Sequence, residues 1–261
     1  MMYKNIAGVP DYDANIFAEK QNKYCVLIPI INEGERIKNE LSRAFAAGVH
    51  TAADIIICDG GSTDGSLDAA AALGVNTVLV KKGAGKQGAQ LRMGLHFALA
   101  RGYDGIVTID GNDKDSIEDI PSFIKKLDEG FDYVQGSRFI KGGKAINTPL
   151  SRYIAVRLIH APIISATSHT WLTDTTNNFR AYSRRYLEDA RVKPLRDIFQ
   201  GYELLAYLST RAGQLGLKVC EIPVTRAYPK NGPAPTKIKG IKGNTNLLNI
   251  LFANMLGRYT P

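Results

Sequence analysis

The chain has little cysteine, a single tryptophan and no apolar run long enough to cross a bilayer, and each shortage removes a class of protein. Three cysteines, Cys25, Cys58 and Cys220, lie far apart in apolar stretches. That spacing suggests neither a disulfide framework nor a zinc site, and it reads as core packing in a reducing compartment. The longest apolar stretch, IAVRLIHAPIISAT, contains Arg157 and His160 and falls short of a spanning helix. The opening MMYKNIAGVPDYDANIF lacks the continuous apolar region of a secretory leader, so a cytoplasmic protein is expected. Acidic residues are also scarce: 33 Lys and Arg face 25 Asp and Glu, for a formal charge of +8. Such a balance favours an anionic partner, whether a phosphate-bearing substrate, nucleic acid or a membrane surface. The 12 tyrosines are scattered rather than interleaved with basic residues, which argues against nucleic acid.

What is present is a repeating order of strand and helix. YCVLIPI, ADIIICD, NTVLV and GIVTID are buried apolar runs. Between and after them, NEGERIKNELSRAFAAG, SLDAAAALG, QLRMGLHFALARG and SIEDIPSFIKKLDEG carry helical periodicity. This alternation predicts βαβ units and an α/β fold with a mostly parallel sheet covered on both faces. Beyond Tyr133, DYVQGSRF reads as a strand, GGKAINTPLS as a loop, and SRYIAVRLIHAPIISAT as a helix interrupted by Pro162. A helix GYELLAYLSTRAGQLG and a last strand LKVCEIPVT follow. The tail AYPKNGPAPTKIKGIKGNT reads as a mobile loop, and NLLNILFANMLGRY as an amphipathic helix. The organisation expected is an extension over 1–23, one α/β domain over 24–239 and a C-terminal helix within 240–261.

Ligands of parallel sheets bind beyond the carboxyl ends of the strands, which singles out the loops Pro29–Glu35, Asp59–Ser66, Lys81–Gly88 and Asp110–Ser116. In TIDGNDKDSIED, Glu118 and Asp119 suit the start of a helix, where acids offset the dipole. Asp110 follows the apolar run directly and is the better candidate for chemistry. Gly83, Gly85 and Gly88 spell G-x-G-x-x-G, but in the third βα unit, with the acid placed after a full further helix. A nicotinamide-dependent oxidoreductase is therefore the weaker reading.

The blocks VLIPIINEGERI, ADIIICDGGSTDGS, GKQGAQLRMG, TIDGN, DYVQGSRF and DTTNNFRAYSR, in that order, resemble the family 2 glycosyltransferases of GT-A fold. Within them the chain is most similar to the polyprenyl-phosphate glycosyltransferase branch, which includes dolichyl-phosphate mannose synthases. The resemblance runs from about Tyr24 to Lys239 and extends to TKI near Lys237. It implies an inverting transfer from a nucleotide-diphosphate sugar to a polyprenyl phosphate, with a saccharide hydroxyl as the alternative acceptor. By position it implies that Pro29, Asn32, Glu33, Asp59, Gly61, Lys86 and Arg92 form the nucleotide pocket. Gly60 departs from the family's D-D-G-S by replacing the second Asp.

Asp110, Arg138 and Asp174 are the implied catalytic residues, and Arg180, Glu203, Lys230 and Lys237 the implied acceptor contacts. Asp174 or Glu203 would be the base for a hydroxyl acceptor. Asp110 and Asn112 stand where the family's D-A-D-L-Q holds Mg2+ or Mn2+, and Lys114 falls on the same side. One carboxylate, one amide and one ammonium imply weak metal binding, with Lys114 offsetting part of the diphosphate charge. The stripe Leu247, Leu248, Leu251, Phe252 and Leu256 suits the core, a second subunit or peripheral membrane contact, the core or a subunit being favoured.

Overall fold

The computed structural model describes residues 1–230 and 240–261. Elements follow in the order β1 (Met2–Tyr3), β2 (Tyr12–Ile16), β3 (Tyr24–Ile30), α1 (Glu35–Ala46), β4 (Ala53–Asp59), α2 (Ser66–Ala72) and β5 (Thr77–Lys81). Next are α3 (Gln87–Ala100), β6 (Gly105–Thr108), α4 (Ile120–Asp128), β7 (Tyr133–Ser137), β8 (Lys144–Ile146) and α5 (Leu150–Ile154). The chain ends with α6 (Ala161–Ser168), β9 (Arg180–Ser183), α7 (Arg184–Glu188), α8 (Glu203–Gln214), β10 (Val219–Pro223), β11 (Thr225–Ala227) and α9 (Gly240–Met255).

Nine strands form one sheet in the order β1-β2-β5-β4-β3-β6-β9-β7-β10. The centre, β5-β4-β3-β6, is parallel. Every residue of β3 and β4 is buried, as expected of strands covered on both faces. Two apolar clusters follow, one on each side. Leu27, Cys58, Leu95 and Phe97 belong to the first, and Val26, Ile57, Leu41 and Phe123 to the second. Cys25 and Cys58 are buried free thiols, and Cys220 is half-buried and free.

The sequence left three features unread. Residues before Tyr24 supply β2, which pairs antiparallel with β5 and extends the sheet. DTTNNFRAYSR supplies β9, antiparallel between β6 and β7. GGKAINTPLS, expected as loop, contains β8, which pairs in parallel with β11. Helix α5 continues through a π-helical turn, Ala155–His160, into α6, and Pro162, which has no N–H to donate, falls just after that turn. Helix α9 begins at Gly240, earlier than NLLNILF suggests, and packs against α6 and α8 with Leu251 buried and Phe252 and Leu256 exposed. Of the stretch expected as a mobile loop, 231–239 lie outside the described residues, while its last residues, from Gly240, belong to α9 rather than to a loop.

Helix α3 matters most for the site, because its first residue reaches the end of β6. It lies hard against the sheet: a Cβ on Gly94 would meet Cys58 Sγ at 2.5 Å and Leu27 Cδ1 at 2.8 Å. In an unpacked helix Gly→Ala stabilises by about 1 kcal/mol. Here overpacking should reverse the sign, so Gly94→Ala is expected to lose about 1–3 kcal/mol in a urea titration. A gain in stability would show that α3 is free to move off the sheet.

Candidate functional site at the carboxyl ends of the strands

Strand β3 sets the level of the site. Ile30 pairs with Asp59 on one side, and Leu27 with Thr108 on the other, so Asp59 and Asp110 emerge on the same rim. The Asp59 carboxylate is fully buried and accepts from Gly61 N at 2.7 Å, Ser62 N at 3.0 Å and Ser62 Oγ at 2.5 Å. Asn32, held at φ 51°, closes the loop from the other side: its N donates to Ser62 Oγ and its Oδ1 accepts from Thr63 N. Gly61 sits at φ +102°, which a residue with a side chain rarely adopts. A Cβ at Gly60 would meet Gln90 Nε2 at 2.9 Å. Gln90 also donates to Ile30 O and Cys58 O, so its amide ties together the strand ends where the second Asp of D-D-G-S would begin.

Asp110 is the hub. Its Oδ1 accepts from Gln87 Nε2 at 2.8 Å and Asn178 Nδ2 at 3.1 Å. Its Oδ2 faces Arg226 Nη2 at 3.2 Å and Asn112 Nδ2 at 3.4 Å. Arg226 also bonds the fully buried Asp115 through Nη1, which donates to Asn177 Oδ1 as well. Lys114 is buried beside them, with its ammonium 5.2 Å from the centre of the Tyr228 ring. Burial, followed by the nearby Arg226 guanidinium, pushes the Lys114 pKa down to about 8. Burial would raise Asp110, but Arg226 and Lys114 outweigh it and hold the carboxyl below its usual range. Asp115 lies above that range, because burial exceeds the help it gets from Arg226.

Two carboxylates and two cations therefore meet in one cluster. A hard divalent cation prefers several charged oxygen ligands. Here it would have one carboxylate edge already facing a guanidinium, and one amide oxygen. The residues do not fit a tightly held metal. Among the described residues no group of three or more His, Cys, Asp or Glu is arranged to hold one. The remaining acids of the loop face elsewhere: Asp113 and Glu118 pair with Arg43, and Asp119 accepts from Ser116 Oγ.

Arg138 and Asp174 form a buried bidentate pair at 2.6 and 2.8 Å, and Arg138 N adds a third bond. Arg138 Nη1 is buried with no hydrogen-bond partner. So are Asn112 Oδ1, Asp115 Oδ1, Asn177 Nδ2 and Thr175 Oγ1. Buried polar atoms are nearly always paired, so these groups retain hydrogen-bonding capacity that the protein does not use. Behind Asp110 lies a cavity of about 90 Å³. Gln87, Asp110, Thr175 and Asn178 line its polar side, and Ile164, Leu205, Leu247 and Ile250 its apolar side.

Other expected site residues are held elsewhere or stand exposed. Pro29 is buried in β3, and Glu33 pairs with Arg36 at 2.7 Å. Lys86 is exposed at the start of α3. Arg92 donates to Phe199 O and Gly8 O, anchoring the N-terminal segment. Arg180, by contrast, lines the cavity beside Asp110, with its guanidinium donating to Asn177 O, Leu205 O, Ser209 Oγ and Thr175 O. Glu203 accepts from Gly201 N. Lys230 is exposed, and Lys237 lies outside the described residues. The G-x-G-x-x-G glycines have packing reasons: a Cβ on Gly88 would meet Phe199 O at 2.6 Å, and one on Gly85 would meet Ala89 Cβ at 2.5 Å. Gln87, Asn178 and Arg226 were not singled out from the sequence. The paired asparagines of DTTNNFR were a usable signal for Asn178; nothing near Arg226 distinguished it from a strand-end arginine.

The family model for glycosyl transferase family 2 matches residues 25–191. Polyprenol monophosphomannose synthase of Mycolicibacterium smegmatis is 29% identical over 215 residues, covering 77% of this chain and 76% of that protein. Undecaprenyl-phosphate mannosyltransferase of Micrococcus luteus is 29% identical over 206 residues, covering 76% and 81%. Among solved structures, glucosyl-3-phosphoglycerate synthase from Mycobacterium tuberculosis, in complex with Mn2+, UDP-glucose and phosphoglyceric acid, superposes with a TM-score of 0.64. It is 19% identical, with 90% of this chain and 79% of that one covered.

Removing Arg226 tests the cluster directly. Arg226→Gln leaves Asp115 buried without its partner, and breaking such a pair costs about 3–5 kcal/mol in a denaturant titration. The two freed carboxylates should then bind Mn2+ more tightly than in the wild type, as read by calorimetry. Unchanged Mn2+ affinity would show that the guanidinium does not compete for that place.

Proposed function

The chain belongs to glycosyl transferase family 2 and has the GT-A fold, and from that premise we propose that it transfers a sugar from a nucleotide-diphosphate sugar to a polyprenyl phosphate, with inversion at the anomeric carbon. The observation that carries the acceptor is the cavity beside Asp110, polar where it meets the strand ends and apolar where α6, α8 and α9 close it. An acceptor phosphate would meet its polar end, where Arg180 also lies, and the first carbons of a hydrocarbon tail its apolar end. The names of the mycobacterial and Micrococcus relatives support the same class.

The loop held by Asp59 and Asn32 receives the nucleotide, and its backbone turn is preset by Gly61. The acceptor phosphate is ionised at neutral pH and needs no general base. One of its oxygens attacks the anomeric carbon on the face opposite the diphosphate; a carbon–oxygen bond forms, the bond to the diphosphate breaks, and the nucleoside diphosphate leaves with the electron pair. Preorganised cations stabilise the charge that develops on the leaving group. Lys114 and Arg226 supply that field beside Asp110. Arg138, oriented by Asp174, offers its unpaired Nη1 to the acceptor phosphate. Asp110 and Asn112 are the residues that would hold Mg2+ or Mn2+, weakly, adding positive charge at the diphosphate. Asp174, held on both oxygens by Arg138, is poorly placed to act as a base, which favours phosphate over a saccharide hydroxyl.

The experiment is turnover of a panel of nucleotide-diphosphate sugars with detergent-dispersed polyprenyl phosphate. A glycosyl-lipid phosphate is the expected product; transfer to free saccharides with none to any lipid phosphate would overturn the reading. Arg138→Gln should lower kcat/KM for the lipid phosphate by about 10²-fold or more. Ala206, which also lines the cavity, gives a second measure. Ala206→Phe is expected to raise KM for a long polyprenyl phosphate while nucleotide affinity stays as in the wild type. An equal rise for a short-chain phosphate would show that the tail does not enter there.

A further inference from the structure

We infer that the exposed face of the α5–α6 segment is a membrane-docking surface that seats the protein on an anionic bilayer. From Tyr133 to Thr173 the chain contains no aspartate or glutamate, while Lys141, Lys144, Arg152 and Arg157 carry positive charge. Leu150, Ile154 and Leu158 follow one another at helical spacing and are 72%, 44% and 71% exposed. Tyr153 and Ile159 widen the stripe, and Trp171 stands 71% exposed at the end of the same segment. Isolated exposed leucines are ordinary, but a run of them along one helix is not. No helix among the described residues is long and apolar enough to cross a membrane, so contact through this face would be peripheral.

The charge pattern identifies the partner. Lys141 and Lys144 are exposed in the segment that leads into the apolar stripe, and neither forms an ion pair among the described residues. Basic side chains flanking an apolar helical face suit the headgroup layer, where the apolar residues enter the acyl boundary and the cations meet anionic lipid. Tryptophan favours that same boundary. The segment also has a second, inward side. Val156 is buried, and His160 and Ile164 line the cavity behind Asp110. Arg152 donates to Tyr228 Oη at 2.9 Å, beside Lys114 and Arg226. One helical segment thus presents leucines outward and the cavity wall inward, bringing a bilayer next to the place proposed for a lipid acceptor. The inference extends the polyprenyl phosphate reading, but it is tested with no substrate present, so the two can fail separately.

The full chain is incubated with phosphatidylcholine vesicles, with and without phosphatidylglycerol, and sedimented. Binding is expected to the anionic vesicles and to fall with added salt. Trp171 is the only tryptophan in the chain, so its emission reports this segment alone and should shift to the blue on binding. Leu150→Ser with Leu158→Ser should weaken binding about tenfold or more and abolish the blue shift, at an unchanged melting temperature. Lys141→Glu with Lys144→Glu should remove the preference for anionic vesicles. The inference is overturned if the wild type sediments with neither vesicle, or if it binds with no emission shift and the leucine variant binds equally well. A concentration-dependent dimer that the leucine substitutions dissolve, with no vesicle binding, would assign the face to a second copy instead.

Discussion

The guanidinium of Arg226 is the interaction on which the site depends. It stands between Asp110 at the end of β6 and Asp115, five residues on, and so pins the loop between them to β11. Burying a lone carboxylate or guanidinium is expensive, and a buried pair offsets that cost only when its remaining hydrogen bonds are satisfied. Arg226 meets the condition by sharing Nη1 between Asp115 and Asn177. Asp115 meets it only in part, since its Oδ1 has no partner. The cluster is thus held firmly enough to fix Asp110 and left open enough to accept further atoms.

That arrangement also sets the charge around Asp110. With Asn112 two residues on and Lys114 buried nearby, a guanidinium and an ammonium bring positive charge to Asp110. The surrounding amides fit this role. Gln87 and Asn178 both donate to Asp110 Oδ1, leaving that oxygen committed to the protein rather than to an ion. A carboxylate surrounded by donors is a fixed negative reference against which nearby cations are oriented. It is a poor ligand for a metal that must displace them.

Much of this was legible from residues alone, and the part that was not has a physical pattern. Strand ends were readable because fully buried parallel strands are continuous apolar runs, so Asp59 and Asp110 stood out as the first polar residues after ADIIIC and GIVTI. Partners separated by long stretches of chain were not. The Asp110–Arg226 contact spans 116 residues, and the Arg138–Asp174 pair 36. An arginine in a sequence carries no mark of its destination. Arg92, Arg138, Arg180 and Arg226 are all buried, yet only Arg138 and Arg226 meet acids in the cleft, while Arg92 and Arg180 cap backbone carbonyls. Residues before Tyr24 were unreadable for a related reason: β2 is only five residues long and lies between the two-residue edge strand β1 and β5, so its pairing is decided by the sheet rather than by its own pattern.

The net charge of +8 acquires a location once the segments are compared. The stretch from Tyr133 to Thr173 holds five Lys and Arg and no acid, and the stretch after Glu221 holds six and no acid. Together these exceed the whole excess, so the rest of the chain is on balance acidic. A protein that binds nucleic acid through a general electrostatic footprint spreads or stripes its cations over one broad surface. Here the excess is confined to two stretches, and both contribute to the Asp110 end of the sheet: Arg138 and Arg152 from the first, Arg226 from the second, with Tyr228 between Arg152 and Lys114. Basicity concentrated in this way suits the local tasks proposed above, phosphate within the cleft and anionic headgroups beside it, better than a general polyanion footprint.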